Sequence, residues 1–163
     1  MVYYLCDLRK HKGYKMKIYL DNCCFNRPYD NQDQVLISLE TQAKLYIQQM
    51  IKNGEIQLVT SFILWYELSQ NPYSMRKKGI TDFIKENTSE FVNVDEDRHI
   101  KMKAEKIMAT GVQMKDAYHL ACAIDAGCDY LVTTDKRMLK YTTQEIMIIN
   151  PINFVQEKGG GIS

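Results

Sequence analysis

No apolar run in this 163-residue sequence approaches the roughly 20 residues needed to cross a bilayer, so no spanning helix and no membrane partner are expected. A secretory leader is missing too. Met1-Val-Tyr-Tyr-Leu-Cys6 is too short for an apolar signal core and runs into Asp7 instead of small residues. The cysteines number five, with no Cys-x-x-Cys pair, which excludes a regular disulfide framework and the usual zinc cage and suggests reduced thiols in a cytoplasm. Adjacent Cys23 and Cys24 cannot easily share a tetrahedral ion, so these two, Cys122 and Cys128 read as small buried thiols. Net charge is almost absent at +1, which excludes the broad basic coat of a strong nonspecific nucleic-acid binder. The positive residues gather instead at 9–12, 76–78, 101–106 and 136–140, runs that taken singly suit solvated helix faces. There is no internal repeat and no long linker.

A hydrophobic fraction of 45% and a charged fraction of 25% fit one globular domain with a single substantial core. Met16 directly precedes the first good strand, so residues 1–15 read as an N-terminal extension, 16–157 as the domain, and 158–163, with its three glycines, as a flexible tail. Within the domain, strands and helices alternate. Strands are expected at 17–20, 56–60, 91–94, 129–134 and 146–149. A helix over 35–53 carries Leu36, Leu39, Ala43, Tyr46, Ile47 and Met50 on one face and stops at Gly54. Ser61 caps a helix through Leu68, closed by Asn71-Pro72, and another helix follows over 73–87. Asp95 caps a helix ending near Gly111, a further one runs from about Ala117 to Ala126, and a short one follows Asp135. Short apolar strands separated by helices imply an α/β fold: a three-layer α/β/α sandwich around a central, mostly parallel five-stranded sheet.

In such a sheet, ligands sit beyond the carboxyl ends of the strands. Asp21 and Asp135 lie just past the first and fourth strands, Asp116 opens the helix before the fourth, and Glu67 lies in the second turn of the helix after the second. Each has a structural reading: Asp116 and Asp135 stand where N-caps stand, and Asp21 ends a strand. Glu67 is harder to dismiss, because Phe62-Ile-Leu-Trp-Tyr-Glu-Leu68 is otherwise apolar and a carboxylate there is costly unless paired or metal-bound. Four gathered carboxylates repel one another unless a cation neutralises them. Oxygen-only ligands suit Mg²⁺ or Mn²⁺, and one or two such ions would activate water and stabilise charge on a phosphodiester.

The segments Ile18-Tyr-Leu-Asp-Asn22, Trp65-Tyr-Glu-Leu68, Lys115-Asp-Ala-Tyr-His-Leu-Ala-Cys-Ala123 and Leu131-Val-Thr-Thr-Asp135 resemble the successive motifs of PIN domains, most closely those of the VapC-like ribonuclease toxins. The resemblance covers about residues 16–155. It implies Mg²⁺- or Mn²⁺-dependent endoribonuclease activity on RNA, often by a homodimer and in a toxin paired with an antitoxin protein. On this resemblance Asp21, Glu67, Asp116 and Asp135 take the acidic catalytic and metal positions, with Asn22 and Thr133 or Thr134 as polar support. Two stretches depart from the motifs: Cys23-Cys-Phe-Asn-Arg-Pro28 replaces the more usual Thr/Ser-Asn and aliphatics, and Ser69-Gln-Asn-Pro72 replaces a Leu-x-x-Gly ending.

His119, one turn after Asp116, is placed either as a phosphate contact or proton carrier, or as a buried helix histidine. Arg27, Lys115, Lys136 and Arg137 flank the acids and are candidates for RNA phosphates, or else solvated surface. Trp65 and Tyr66 suit core or a dimer interface better than base stacking. Apolar surplus at 62–68, with Ile80, Phe83 and Ile84 nearby, points to a homodimer. A phosphoaspartate phosphatase would want an acid where Cys23 stands, and a phosphorelay receiver would want two adjacent early acids where only Asp21 is followed by Asn22. The remaining alternative is a degenerate PIN domain that binds RNA or protein without catalysis.

Overall fold

The computed structural model describes residues 13–94 and 98–158. The expected cap Asp95, the basic run at 9–12, Cys6 and the tail glycines lie outside the described residues. Of the expected N-terminal extension, Tyr14 is described, and its hydroxyl donates to Asp129 Oδ2 at 3.1 Å.

Five strands form one sheet: β1 (Lys17–Leu20), β2 (Gln57–Ser61), β3 (Thr88–Val92), β4 (Tyr130–Val132) and β5 (Met147–Ile149). Their order is β3-β2-β1-β4-β5, and every neighbouring pair is parallel. Successive side chains alternate faces. Ile18, Leu20, Leu58 and Val132 join the core on one face, while Tyr19, Val59 and Leu131 join the core on the other.

The helices are α1 (Asn22–Asn26), α2 (Val35–Lys52), α3 (Phe62–Ser69), α4 (Ser74–Asn87), α5 (His99–Met108), α6 (Met114–Asp125), α7 (Lys136–Leu139) and α8 (Pro151–Lys158). Residues of α2, α4 and α8 pack on the first face and those of α5 and α6 on the second. This is the expected three-layer sandwich. Each parallel strand needs a crossover to its neighbour, and these helices supply it while covering both faces.

Several expectations are corrected. In α2 the buried stripe is Glu40, Ala43, Lys44, Ile47, Met50 and Ile51, whereas Leu36, Leu39 and Tyr46 are exposed. Arg27 Nη2 approaches Glu40 Oε1 at 3.1 Å, and Asn150 donates to Glu40 Oε2; this polar seam turns the helix away from the face its leucines suggest. Ile80, Phe83 and Ile84 are buried in the protein's own core, so they supply no surplus apolar surface for a partner. Strand β3 begins earlier than expected. Helix α6 begins at Met114, so Asp116 lies in its first turn and Gln113, not Asp116, is its cap. Helix α8 was not foreseen; Pro151 opens it, with Asn150 Oδ1 accepting from the Ile152 amide at 2.9 Å.

Candidate active site

Strand β1 lies at the centre of the sheet, with β2 and β3 to one side and β4 and β5 to the other. Strand order reverses there, and the switch between β1 and β4 is where a parallel sheet opens a crevice. The Asp21 amide continues the ladder by donating to Val132 O at 3.0 Å, so its carboxylate emerges at that crevice. It is 6% exposed. Oδ1 accepts from the Asn22 amide at 2.7 Å, and Oδ2 accepts from Thr133 Oγ1 at 2.8 Å and Cys23 Sγ at 3.3 Å.

Thr133 therefore ties together the ends of β1 and β4. Its hydroxyl oxygen also accepts from the Asp135 amide at 3.0 Å, which orients the next acid. Asp135 caps α7 by accepting from the Arg137 amide at 2.8 Å, and the Arg137 guanidinium lies 3.5 Å from its other oxygen. Thr134 is nearly covered, and its amide donates to Cys23 Sγ at 3.4 Å.

Glu67 reaches the same edge from α3, whose N-terminus Ser61 caps as expected, its Oγ accepting from the Leu64 amide. Beneath Glu67 runs a buried polar chain. Its Oε1 lies 2.7 Å from His119 Nε2, His119 Nδ1 lies 2.6 Å from Tyr19 Oη, and that hydroxyl lies 2.6 Å from Ser61 Oγ. Burial pushes the His119 imidazole down, but the Glu67 hydrogen bond and the charges of Asp21, Glu67 and Asp116 outweigh it and raise its pKa. The Glu67 carboxylate can only accept, so His119 Nε2–H donates to it; the directions of the His119–Tyr19 and Tyr19–Ser61 bonds depend on whether Nδ1 also carries a proton. Burial likewise pushes the Glu67 carboxyl up, and the His119 hydrogen bond and charge, with Lys115 and Asn22 beyond, reverse it to a net lowering.

Asp116 is the acid without such support. Burial and then the carboxylates of Asp21 and Asp135 raise its pKa, with His119 and Arg137 pulling the other way. Asp21, Glu67 and Asp116 thus lie around His119, and Asp135 joins them through its proximity to Asp116 at the same sheet edge. Among the described residues, however, no three His, Cys, Asp or Glu side chains close on a point as a finished metal cage. The donors fit a hard divalent cation by chemistry: they are oxygens, and the negative charge that Asp21 and Asp135 bring to Asp116 is what a cation would relieve.

Of the two readings of His119 the structure takes the buried helix histidine, and Arg27 is engaged by other residues. His119 is fully covered, so it braces Glu67 and makes no phosphate contact. Arg27 turns away toward Asp30 and the buried Glu40. Lys115, Lys136 and Arg137 are exposed beside the acids. Sequence reasoning missed Tyr19, Ser61 and Cys23 as site supports. The available signal for Tyr19 was a hydroxyl inside an apolar strand, which needs a buried partner.

The sequence model of the PIN domain family matches residues 18–143. Among solved structures, the fold is similar to the crystal structure of VapBC2 from Rickettsia felis bound to a DNA fragment from their promoter, with TM-score 0.52 and 14% identity over 83% of this chain and 98% of that chain. It is similar to FitAcB from Neisseria gonorrhoeae, with TM-score 0.54 and 15% identity over 82% of this chain and 97% of that one. DNA-bound VapBC from Salmonella typhimurium gives TM-score 0.51 and 16% identity over 83% and 98% of the two chains. No curated protein matches the chain.

Proposed function

The chain belongs to the PIN-domain family, and from that premise we propose that it is a metal-dependent endoribonuclease that hydrolyses RNA phosphodiester bonds. One observation carries the reading: Asp116 stands near the carboxylates of Asp21 and Asp135 at the switch point of a parallel sheet, where burial first and then those two charges raise its pKa. Asp21, Asp116 and Asp135, with Glu67, would hold one or two Mg²⁺ or Mn²⁺ ions. Such an ion supplies an acidified water and neutralises charge on the phosphodiester. Thr133 and Asn22 fix the orientation of Asp21, and His119 keeps Glu67 ionised. Lys115, Lys136 and Arg137 are exposed where they would position phosphates.

Likeness in fold to the VapBC complexes supports the further proposals of an antitoxin protein as partner and a toxin role. An antitoxin-like reading frame beside the gene would test both. Among the described residues, no helix is long and apolar enough to cross a membrane.

The test is cleavage of a panel of RNAs by the purified protein. Activity should vanish with chelator and return with Mn²⁺, and Asp→Asn at 21, 116 or 135 should cost about a hundredfold or more. Glu67→Gln should be milder. Near wild-type activity in Asp116→Asn overturns the mechanism. A second reading, a non-catalytic RNA- or protein-binding module, draws on the acids standing short of a finished cage. It forecasts no Mn²⁺ binding by calorimetry.

A further inference from the structure

Residues 23–28 and 69–72, the two stretches that depart from the usual PIN motifs, meet in space beside the acids. Asn71 Nδ2 donates to Asn26 Oδ1 at 3.2 Å, and Asn26 Nδ2 donates to Asn22 Oδ1 at 3.1 Å. A ladder of three amides thus runs outward from Asp21's neighbour. It lines a cleft of about 290 Å³ that also includes Glu67, Tyr73, Arg76 and Lys115. That volume lies just under the range of ordinary small-molecule pockets, so it suits one planar ring system.

The cleft's outer wall is prepared. The Arg76 guanidinium carbon lies 4.5 Å from the Tyr73 ring centroid and 4.8 Å from that of Tyr29. This double stack holds the guanidinium plane in place, and its one hydrogen bond among the described residues is a long one, to Tyr29 O at 3.5 Å. Gly79 leaves room for the Tyr29 hydroxyl, which a Cβ there would approach to 3.2 Å. Tyr73 remains 61% exposed.

We propose that this cleft is a base-recognition subsite of the proposed nuclease: it takes the nucleobase next to the scissile phosphate of a single-stranded RNA. Tyr73 supplies a stacking platform, the Asn71 and Asn26 amides face the base edge, and Arg76 holds the adjoining phosphate. Amides pair with base edges because each carries donors and an acceptor: Asn71 keeps one N–H beyond its bond to Asn26 and a lone pair beyond the one that accepts from the Tyr73 amide, whereas Asn26 spends both N–H groups on Asn22 and offers only its oxygen. Unstacked RNA bases are characteristically held between aromatic or guanidinium planes in this way. The inference rests on the nuclease reading for its substrate, but its test stands apart from cleavage.

The experiment measures fluorescence anisotropy of short single-stranded RNAs differing in one base, on full-length protein carrying Asp116→Asn so that no RNA is cut. Tyr73→Ala should weaken the preferred RNA about tenfold, as loss of one stacked base does, and Tyr73→Phe should retain the affinity. Asn71→Ala should level the preference among bases. Thermal melts should show both variants folded. In parallel, the same Tyr73 and Asn71 changes in the protein with Asp116 intact should shift its cleavage positions. Unchanged affinity and preference in both variants overturn the subsite, as does failure of every RNA to bind. Equal weakening toward all bases by Asn71→Ala also overturns it, since that marks a general contact, and so does competition for the cleft by a peptide partner with RNA binding untouched. A protein that cuts RNA with positions insensitive to Tyr73 and Asn71 is a nuclease without this subsite. One that binds with Tyr73-dependent preference and never cuts keeps the subsite and sinks the nuclease.

Discussion

Lys44 sits on the core-facing side of α2 with 5% of its surface exposed, and burial lowers its pKa from 10.5 to about 8. Each pKa unit corresponds to about 1.4 kcal/mol, so keeping this ammonium charged at neutral pH costs the folded state about 3 kcal/mol. Its Nζ lies 5.6 Å from the Phe25 ring centroid, a contact that returns about 1 kcal/mol. Lys44→Met keeps the length and removes the charge, so it should stabilise the protein by about 2 kcal/mol at neutral pH, or roughly 4–8 °C for a chain of this size. The pH dependence carries the signature. Below pH 8 the lysine is charged in both states, and the full cost is present. Between about 8 and 10.5 the native protein has released the proton while the unfolded chain retains it, so wild-type stability rises relative to the variant. Thermal melts of both proteins at neutral pH and at about pH 10 check this, because the other alkaline ionisations are common to the pair. A variant less stable than wild type at neutral pH, or a gap that does not narrow on going alkaline, refutes the reasoning.

Three further outcomes are expected. Mn²⁺ at a hundred times its Kd should stabilise wild type by about 2.7 kcal/mol. Asp116→Asn should melt at or above metal-free wild type, because one of the repelling charges is gone, and should lose most of the metal shift; equal shifts in the two proteins sink the shared site. Arg27→Ala should cost about 3–5 kcal/mol in urea denaturation, since it strands a buried carboxylate: Glu40, 2% exposed. RNA affinity should be unaffected, and a loss of affinity without loss of stability would reinstate Arg27 as a phosphate contact. A homodimer is still proposed, now through the exposed Leu36, Leu39 and Tyr46 of α2, and a monomer mass by light scattering at physiological salt would refute it.

Strand β1, the Ser61 cap and the α/β alternation were readable because apolar runs and a capping hydroxyl are local signals. Strand β3 was misplaced because it lies at the sheet edge and shows only one buried residue. Thr88-Ser-Glu90 carries little apolar content, and Glu90 is held there by Lys17 Nζ at 2.8 Å across the sheet. The face of α2 was misread because its inward stripe includes Glu40 and Lys44. Those two residues look like surface until Arg27, Asn150 and Phe25, all distant in sequence, arrive beside them. Asn150-Pro151 looked like the end of an element and is also the beginning of one. The same proline that stops a strand is preorganised for the first turn of a helix.

The four acids were legible for a different reason: topology alone carries the carboxyl ends of β1, β2 and β4 to one edge, whatever the side chains do. What topology could not reveal was their support. Glu67 is half-buried, and burial disfavours its carboxylate form, so it needs a donor beneath it, and a donor inside the core must itself be satisfied. His119 meets the first need, Tyr19 bonds His119, and Ser61 bonds Tyr19 while also capping the helix that carries Glu67. Each member sits at a position that hydrophobic periodicity assigns to core or to a cap, and each fills that role as well. A charged edge on a parallel sheet therefore implies polar residues one layer down, at strand and helix positions where a polar atom otherwise looks like an interruption of the apolar pattern.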